Sequence, residues 1–178
     1  SRTRAMKEYR LHLYRLLSIL LPEMSCNSIK REMLRWCGAT VGKNCRICSS
    51  ALISGSGNLT IGDEVYIGSK VVIRAAEGSS IHIGNYCDIA VNSCLWSATH
   101  SILSINADKR IAGPGIGKDI RIGDGCWLCV GSIIVAGTEI GQKCVVAANT
   151  VITQTFGDFL LLGGTPGKII RYLKNEQN

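Results

Sequence analysis

A branched aliphatic residue returns at every sixth position over most of this chain, a spacing that neither a helix nor a simple alternating strand satisfies. The series runs Val41, Ile47, Ile53, then Ile61, Ile67, Ile73, then Ile83, Ile89, Leu95, and finally Ile122, Leu128, Ile134, Ile140, Val146, Ile152. Glycine often follows directly (Gly42, Gly62, Gly68, Gly84, Gly123, Gly141), and the fourth residue on is usually small, as at Cys45, Ala51, Ser93, Cys126, Ser132 and Thr150. Such a period marks an all-β solenoid, in which one short strand and one turn recur and the aliphatics stack in columns. Aromatic residues make up 6% of the chain against 46% hydrophobic overall. The core is therefore expected to be aliphatic, which suits branched side chains packed on one another from coil to coil. The 20 glycines are expected at turns that need positive φ.

The period begins only at Val41, and the segment before it has a different character. Residues 6–36 read as two helices. Leu13, Leu16, Leu17, Leu20 and Leu21 share one helical face, and Pro22 ends it. The second helix runs from Asn27 or Ser28 to Trp36 and closes at Gly38. The end of a solenoid exposes unpaired coil edges, for which a helical lid is the usual remedy. Residues 1–38 are thus expected to form an N-terminal helical cap. The alternative is a basic amphipathic helix in peripheral contact with an anionic membrane face, because residues 1–36 hold eight Lys/Arg against three Glu. Leu11 to Leu21 is too short to span a bilayer and is interrupted by Arg15, and no secretory signal is evident. Ser1 to Ala5 precede Met6 and read as a remnant of expression.

Net charge is +7, but most of it sits in that N-terminal segment rather than in a basic face with interleaved aromatics on the body. A nucleic-acid partner is not expected. Nine cysteines is an odd number, and a chain of this size needs no disulfide staples. Cys45, Cys87, Cys126 and Cys144 all occupy the small position of the repeat, where a thiol acts as a buried apolar group. The repeat also generates the two C-x-x-C spacings, Cys45/Cys48 and Cys126/Cys129, so no metal is expected. A reducing cytosol is the expected compartment.

The solenoid is expected over 39–157, followed by a short tail over 158–178. Small insertions fall at Ser56-Gly57 and around Glu77 to Ser80. A larger break follows Thr99-His100, giving an excursion loop over 101–115. Long excursions from compact repeats tend to be functional, and Arg110 within this loop is a candidate contact to an acceptor substrate.

Three stretches carry a family resemblance: Thr99-His100 before the loop, the run Ile122-Gly123-Asp124-Gly125-Cys126-Trp127-Leu128, and Gly164-Thr165-Pro166-Gly167-Lys168-Ile169-Ile170-Arg171. Together with the period, they resemble the hexapeptide-repeat acyltransferases, in the branch of maltose, galactoside, capsule and O-antigen O-acetyltransferases. The resemblance implies a left-handed parallel β-helix, a homotrimer with active sites between subunits, and acetyl-CoA as co-substrate. His100 would be the general base that takes the proton from an acceptor hydroxyl, a task suited to an imidazole. The developing oxyanion needs a fixed N–H donor, which maps to Cys129 or Val130. Trp127 follows the inward Cys126, so it should point outward, against either CoA or a neighbouring subunit. Ala148 and Thr153 match positions that contact pantetheine, and Lys168 and Arg171 match basic residues near the CoA phosphates. Where galactoside-type members place an acceptor-binding Asn, this chain has Gly68 or Ser69, which favours another glycan.

The function so implied is acetyl transfer to a sugar hydroxyl in surface-polysaccharide biosynthesis. Alternatives on the same solenoid are an N-acetyltransferase acting on an amino-sugar nucleotide and a non-catalytic scaffold. A zinc-dependent carbonic anhydrase needs three histidine ligands. This chain has three in all, with His12 expected in a helix and His82 in a turn insertion.

Overall fold

A computed structural model of the chain describes residues 5–105 and 110–173. Three sheets of mainly parallel strands form the sides of a left-handed β-helix. The first face holds Thr40–Val41, Asn58–Ile61, Ser80–Ile83, Ile120–Ile122 and Glu139–Ile140. The second holds Arg46–Ile47, Tyr66–Ile67, Asp88–Ile89, Trp127–Leu128, Val145–Val146 and Leu160–Gly163, and the third Leu52–Ser54, Val72–Arg74, Cys94–Trp96, Ile133–Val135 and Val151–Ile152. In-register pairing sets each periodic aliphatic above its predecessor, for example Ile61 on Ile83 on Ile122 on Ile140 along the first face. Every residue of the sixfold series is buried. Each such side chain contributes about 1.5–3 kcal/mol relative to exposure, so the three columns are the main source of cohesion.

The corners work differently from the expectation for glycine. After the first-face aliphatics, positive φ falls not on the adjacent glycine but two residues later, at Asn44, Glu64, Tyr86 and Lys143. The adjacent glycine is needed because the next coil passes too close for a side chain. A Cβ on Gly123 would lie 2.6 Å from the backbone of both Gln142 and Gly141. Gly123→Ala should therefore destabilise the fold by about 1–3 kcal/mol, seen as a lower denaturant midpoint at unchanged slope. Carboxylate and amide side chains complete this corner. Asp63 Oδ1 accepts from Lys43 N (2.7 Å), Asn85 Oδ1 from Asp63 N (2.8 Å) and Asp124 Oδ1 from Asn85 N (2.7 Å).

Thiols supply a second ladder between coils. The Sγ atoms of Cys45, Cys87, Cys126 and Cys144 donate to the carbonyls of Gly62, Gly123, Gly141 and Gly157, at 3.0, 3.1, 3.0 and 3.1 Å. These cysteines are buried, and all nine cysteines are free thiols. Among the described residues, no group of three or more His, Cys, Asp or Glu side chains is placed to hold a metal ion.

The cap consists of α1 (Glu8–Ser18) and α2 (Asn27–Cys37), with α2 ending at Gly38 in the left-handed region. The basic residues of α2 are bound to the open edge of the first coil. Arg31 donates to Cys45 O (2.9 Å), and Arg35 to Val41 O (2.6 and 2.9 Å) and Gly42 O (3.0 Å). Lys30, fully buried, donates to Pro22 O, Glu23 O and Ile47 O. Three of the eight N-terminal cations thus satisfy carbonyls at the coil edge. The leucine face of α1 does not pack inward. Leu11, Tyr14 and Ser18 are its buried side, whereas Leu13, Leu16, Leu17 and Leu20 are exposed. At the other end, the second face continues through Leu160–Gly163 and adds Lys168–Tyr172 as an antiparallel edge strand. The solenoid therefore extends beyond the expected limit at 157.

Candidate active site

Where the period breaks, the chain leaves the third face after Trp96. Ala98–Ile102 pairs antiparallel with Ala112–Gly117, with His100 opposite Gly115. The expected loop over 101–115 is thus the outer part of a two-stranded arm over 98–117, whose residues 106–109 lie outside the described residues. The arm is rooted by Lys118 N donating to Ser97 O (2.9 Å), while the Ser97 hydroxyl donates to Arg74 O (3.0 Å). Register shifts between His100 and Ile102, and such irregularities re-aim side chains.

His100 is exposed, and its Nδ1 lies 2.9 Å from Gly113 O. A carbonyl can only accept, so in the neutral ring Nδ1 carries the proton and Nε2 keeps the lone pair. An open cavity of about 340 Å³ joins His100 to Leu103, Arg110 and Pro114. The arm thus brings together His100, with a ring nitrogen able to accept a proton, and the Arg110 cation of the excursion.

The other candidates lie elsewhere on the prism. Trp127 is exposed on the second face, between Asp88 and Val145 in register. Cys129 N already donates to Val146 O (2.9 Å), which excludes it as an oxyanion donor. The Val130 amide makes no hydrogen bond among the described residues, and neither does that of Ala148 one coil on. Both residues are exposed on the corner that follows the second face. Lys168 and Arg171 are exposed on the terminal edge strand of the same face. Thr153 is exposed just after the third-face strand Val151–Ile152. None of these residues lines either of the two cavities described around His100, and Trp127, Lys168 and Arg171 lie on the second face whereas the arm leaves the third.

Two further side chains change the picture. Trp96 is exposed on the third face under the Arg74 guanidinium, 5.5 Å from the ring centre. With Ala98 and Thr99 it lines a depression at the root of the His100 arm. Sequence reasoning missed it, although its outward position beside Leu95, four residues before His100, was a usable signal. His82 is not in a turn insertion. It stands within Ser80–Ile83 and pairs in register with Arg121. Burial, with Arg121 adding to it, pushes its pKa below the ordinary histidine value.

The faces also differ in polarity. Outward positions of the first include Thr60, Ser80, His82, Arg121 and Glu139, whereas those of the third include Val72, Cys94, Trp96, Ile133 and Val151. The arm carrying His100 leaves from the end of this apolar face.

Residues 58–95 and 119–154 match the family model described as the hexapeptide repeat of succinyl-transferase. Over 143 residues, the chain is 30% identical to the Escherichia coli (strain K12) protein named "Putative colanic acid biosynthesis acetyltransferase WcaF", covering 78% of this chain and 72% of that one. The chain belongs to the hexapeptide-repeat acyltransferases. Galactoside O-acetyltransferase of Lactococcus lactis is 25% identical over 82% of this chain and 68% of its own length. The chain spans less of some other relatives, covering 59% of one from Saccharomyces cerevisiae and 57% of one from Dictyostelium discoideum. Among solved structures, the hexapeptide-repeat acetyltransferase VCA0836 of Vibrio cholerae, complexed with acetyl coenzyme A, superposes with a TM-score of 0.67. That pair is 26% identical, with 94% of this chain and 87% of that one covered.

Proposed function

We propose that this hexapeptide-repeat protein is an acetyl-CoA-dependent O-acetyltransferase acting on a sugar hydroxyl in surface-polysaccharide biosynthesis. The observation that carries the reading is the contact between His100 Nδ1 and Gly113 O at 2.9 Å. It fixes the tautomer that a general base requires, on an exposed arm where a glycan can reach it. The glycan acceptor and the polysaccharide setting rest on the relatives named for galactoside and colanic acid. Acetyl-CoA rests on the Vibrio cholerae relative solved with it.

The site would be completed by a homotrimer. An apolar third face calls for cover; where a second copy supplies it with its second face, the arm of one chain would lie beside the Trp127 of its neighbour. Trp127, Val130, Ala148, Lys168 and Arg171 would hold the cofactor on one side of the cleft. His100 and Arg110 would meet the acceptor on the other, with Thr153 on the adjoining edge.

Transfer would be direct. His100 Nε2 takes the acceptor hydroxyl proton as the oxygen attacks the acetyl carbonyl. The partner subunit's Val130 amide donates to the oxyanion. Collapse breaks the C–S bond, and the imidazolium returns the proton to the departing CoA thiolate. Cys94 and Cys129, the half-buried thiols of the solenoid, are poorly suited to an acyl-cysteine route, because burial pushes both above their ordinary pKa. Free thiols throughout fit a cytosolic setting.

The test is to incubate purified protein with acetyl-CoA and a panel of hydroxyl and amino-sugar acceptors, following CoA release and identifying the product by NMR. A base-labile ester supports the reading. A base-stable amide would assign the chain to N-acetyl transfer on an amino sugar, and no CoA release with any acceptor would leave a scaffold. Trp127→Ala should raise the KM for acetyl-CoA about 2- to 10-fold, the worth of one aromatic stacking contact, with kcat little changed. An unchanged KM would place Trp127 in subunit packing instead.

A further inference from the structure

The outward side of α1 is apolar, the reverse of what a cap helix needs. Its inner side is Leu11, Tyr14 and Ser18, set on the first coil. Directly opposite run Tyr9, Leu13 and Leu16 at spacings of four and three residues, with Leu20 in the turn that follows the helix, and they are 65%, 45%, 66% and 79% exposed. Leu17 and Ile19 widen this stripe at 43% and 73%, and Met24 extends it past the helix at 54%. A patch of this size on a surface helix marks an interaction site rather than ordinary surface scatter.

The charge around the stripe selects its occupant. Lys7 and Arg10 stand at the N-terminal end of the stripe, whereas Arg15 lines a groove with Leu11, Ile53 and Arg74 on the solenoid side; Glu8 is the one acid of the helix. Arg10 is held between aromatic rings, 5.6 Å from the centre of Tyr9 and 4.6 Å from that of Trp36, with its guanidinium donating to Trp36 O. Trp36 itself is exposed. Leucines on one face, cations at one end and exposed aromatics beside them are the makeup of a helix lying in a lipid interface. Pairing of this stripe with the same stripe of a second copy fits less well, since it sets Lys7 and Arg10 against their own kind. The helix has 11 residues, and among the described residues no helix is long and apolar enough to cross a membrane.

We propose that α1 docks the protein on an anionic lipid surface, with Leu13, Leu16 and Leu20 entering the acyl boundary while Lys7 and Arg10, at its N-terminal end, meet the headgroups. The cap thereby has two roles. α2 seals the solenoid edge with its basic side chains, and α1 offers its free side to the bilayer. This holds whichever acceptor the enzyme uses, but it would set the His100 arm near substrates carried on lipid.

Vesicle flotation of the full chain tests it, with liposomes of equimolar phosphatidylglycerol and phosphatidylcholine and with phosphatidylcholine alone. Binding should be strong on the anionic vesicles, weak on the neutral ones, and reduced by high salt. The triple variant Leu13→Ser, Leu16→Ser, Leu20→Ser should bind at least about tenfold more weakly. Its melting temperature and oligomeric mass should be those of the parent, because all three side chains are exposed. Equal binding by parent and variant, or no binding of the parent to anionic vesicles, would overturn the proposal. A variant of altered oligomeric mass would overturn it too, by making the stripe a contact between subunits.

Discussion

His100→Ala is expected to lower kcat by about 10²–10⁴-fold, the usual worth of a positioned general base, while leaving the melting temperature unchanged. The second expectation follows from the ring's exposed place on an arm outside the aliphatic columns. His100→Asn is the sharper companion. Its side-chain amide can still donate to Gly113 O, replacing the bond made by Nδ1, but it offers no basic nitrogen. If His100 acts as a base, Asn should be as inactive as Ala. Recovery of most activity in Asn would show that the residue only braces the arm, and full activity in Ala would remove it from the chemistry. Both variants should keep the parent's affinity for CoA in calorimetry, because the proposed cofactor residues lie on another face of the prism.

That the arm could be located from sequence at all follows from the regularity around it. A period of six leaves little freedom: once Ile83, Ile89 and Leu95 are read as successive sides of one coil, the loss of register after His100 must be an excursion. The columns of buried aliphatics were legible for the same reason, since side-chain parity is fixed by the repeat itself. What depends on contacts between coils was not legible. The hydrogen bond that orients His100 comes from Gly113, thirteen residues away across an antiparallel pairing, and nothing in the local sequence announces it. Choosing Val130 over Cys129 requires knowing which amide the next coil consumes. Gly42, Gly62, Gly84, Gly123 and Gly141 were misassigned, whereas Gly125, Gly131 and Gly137 do take positive φ, because a close backbone approach and a positive φ select the same residue type, and only the coil overhead tells them apart. The leucine face of α1 was visible as a face, but periodicity alone does not say which side of a helix is covered.

Lys30 is the buried tie between the cap and the first coil, and Lys30→Met is expected to lower stability by about 3 kcal/mol or more. Lys30 is fully buried, and its ammonium donates to Pro22 O (3.0 Å), Glu23 O (2.9 Å) and Ile47 O (2.9 Å), one proton for each acceptor. Burial holds its pKa below the ordinary lysine value, and the three carbonyls are what make the charged form tolerable there. Methionine matches the stem in length and apolar character, so packing should be nearly preserved. The loss falls mainly on the buried bond to Ile47 O, because Pro22 O and Glu23 O each keep a second donor in Ser49 Oγ (3.0 Å) and Ser49 N (3.1 Å); hydrogen bonds to a charged group are worth about 1.5–3 kcal/mol each. Those carbonyls belong to the turn between the helices and to the first coil, so their release should loosen the lid and expose the coil edge beneath it. For a chain of this length, a loss of 3 kcal/mol corresponds to about 6–12 °C in Tm. Lys43→Met, at an exposed lysine on the same coil, serves as the control and should stay within about 0.5 kcal/mol. A Lys30→Met protein that melted with the control would show that the first coil closes without its ammonium, and that the edge is sealed by Arg31 and Arg35 alone.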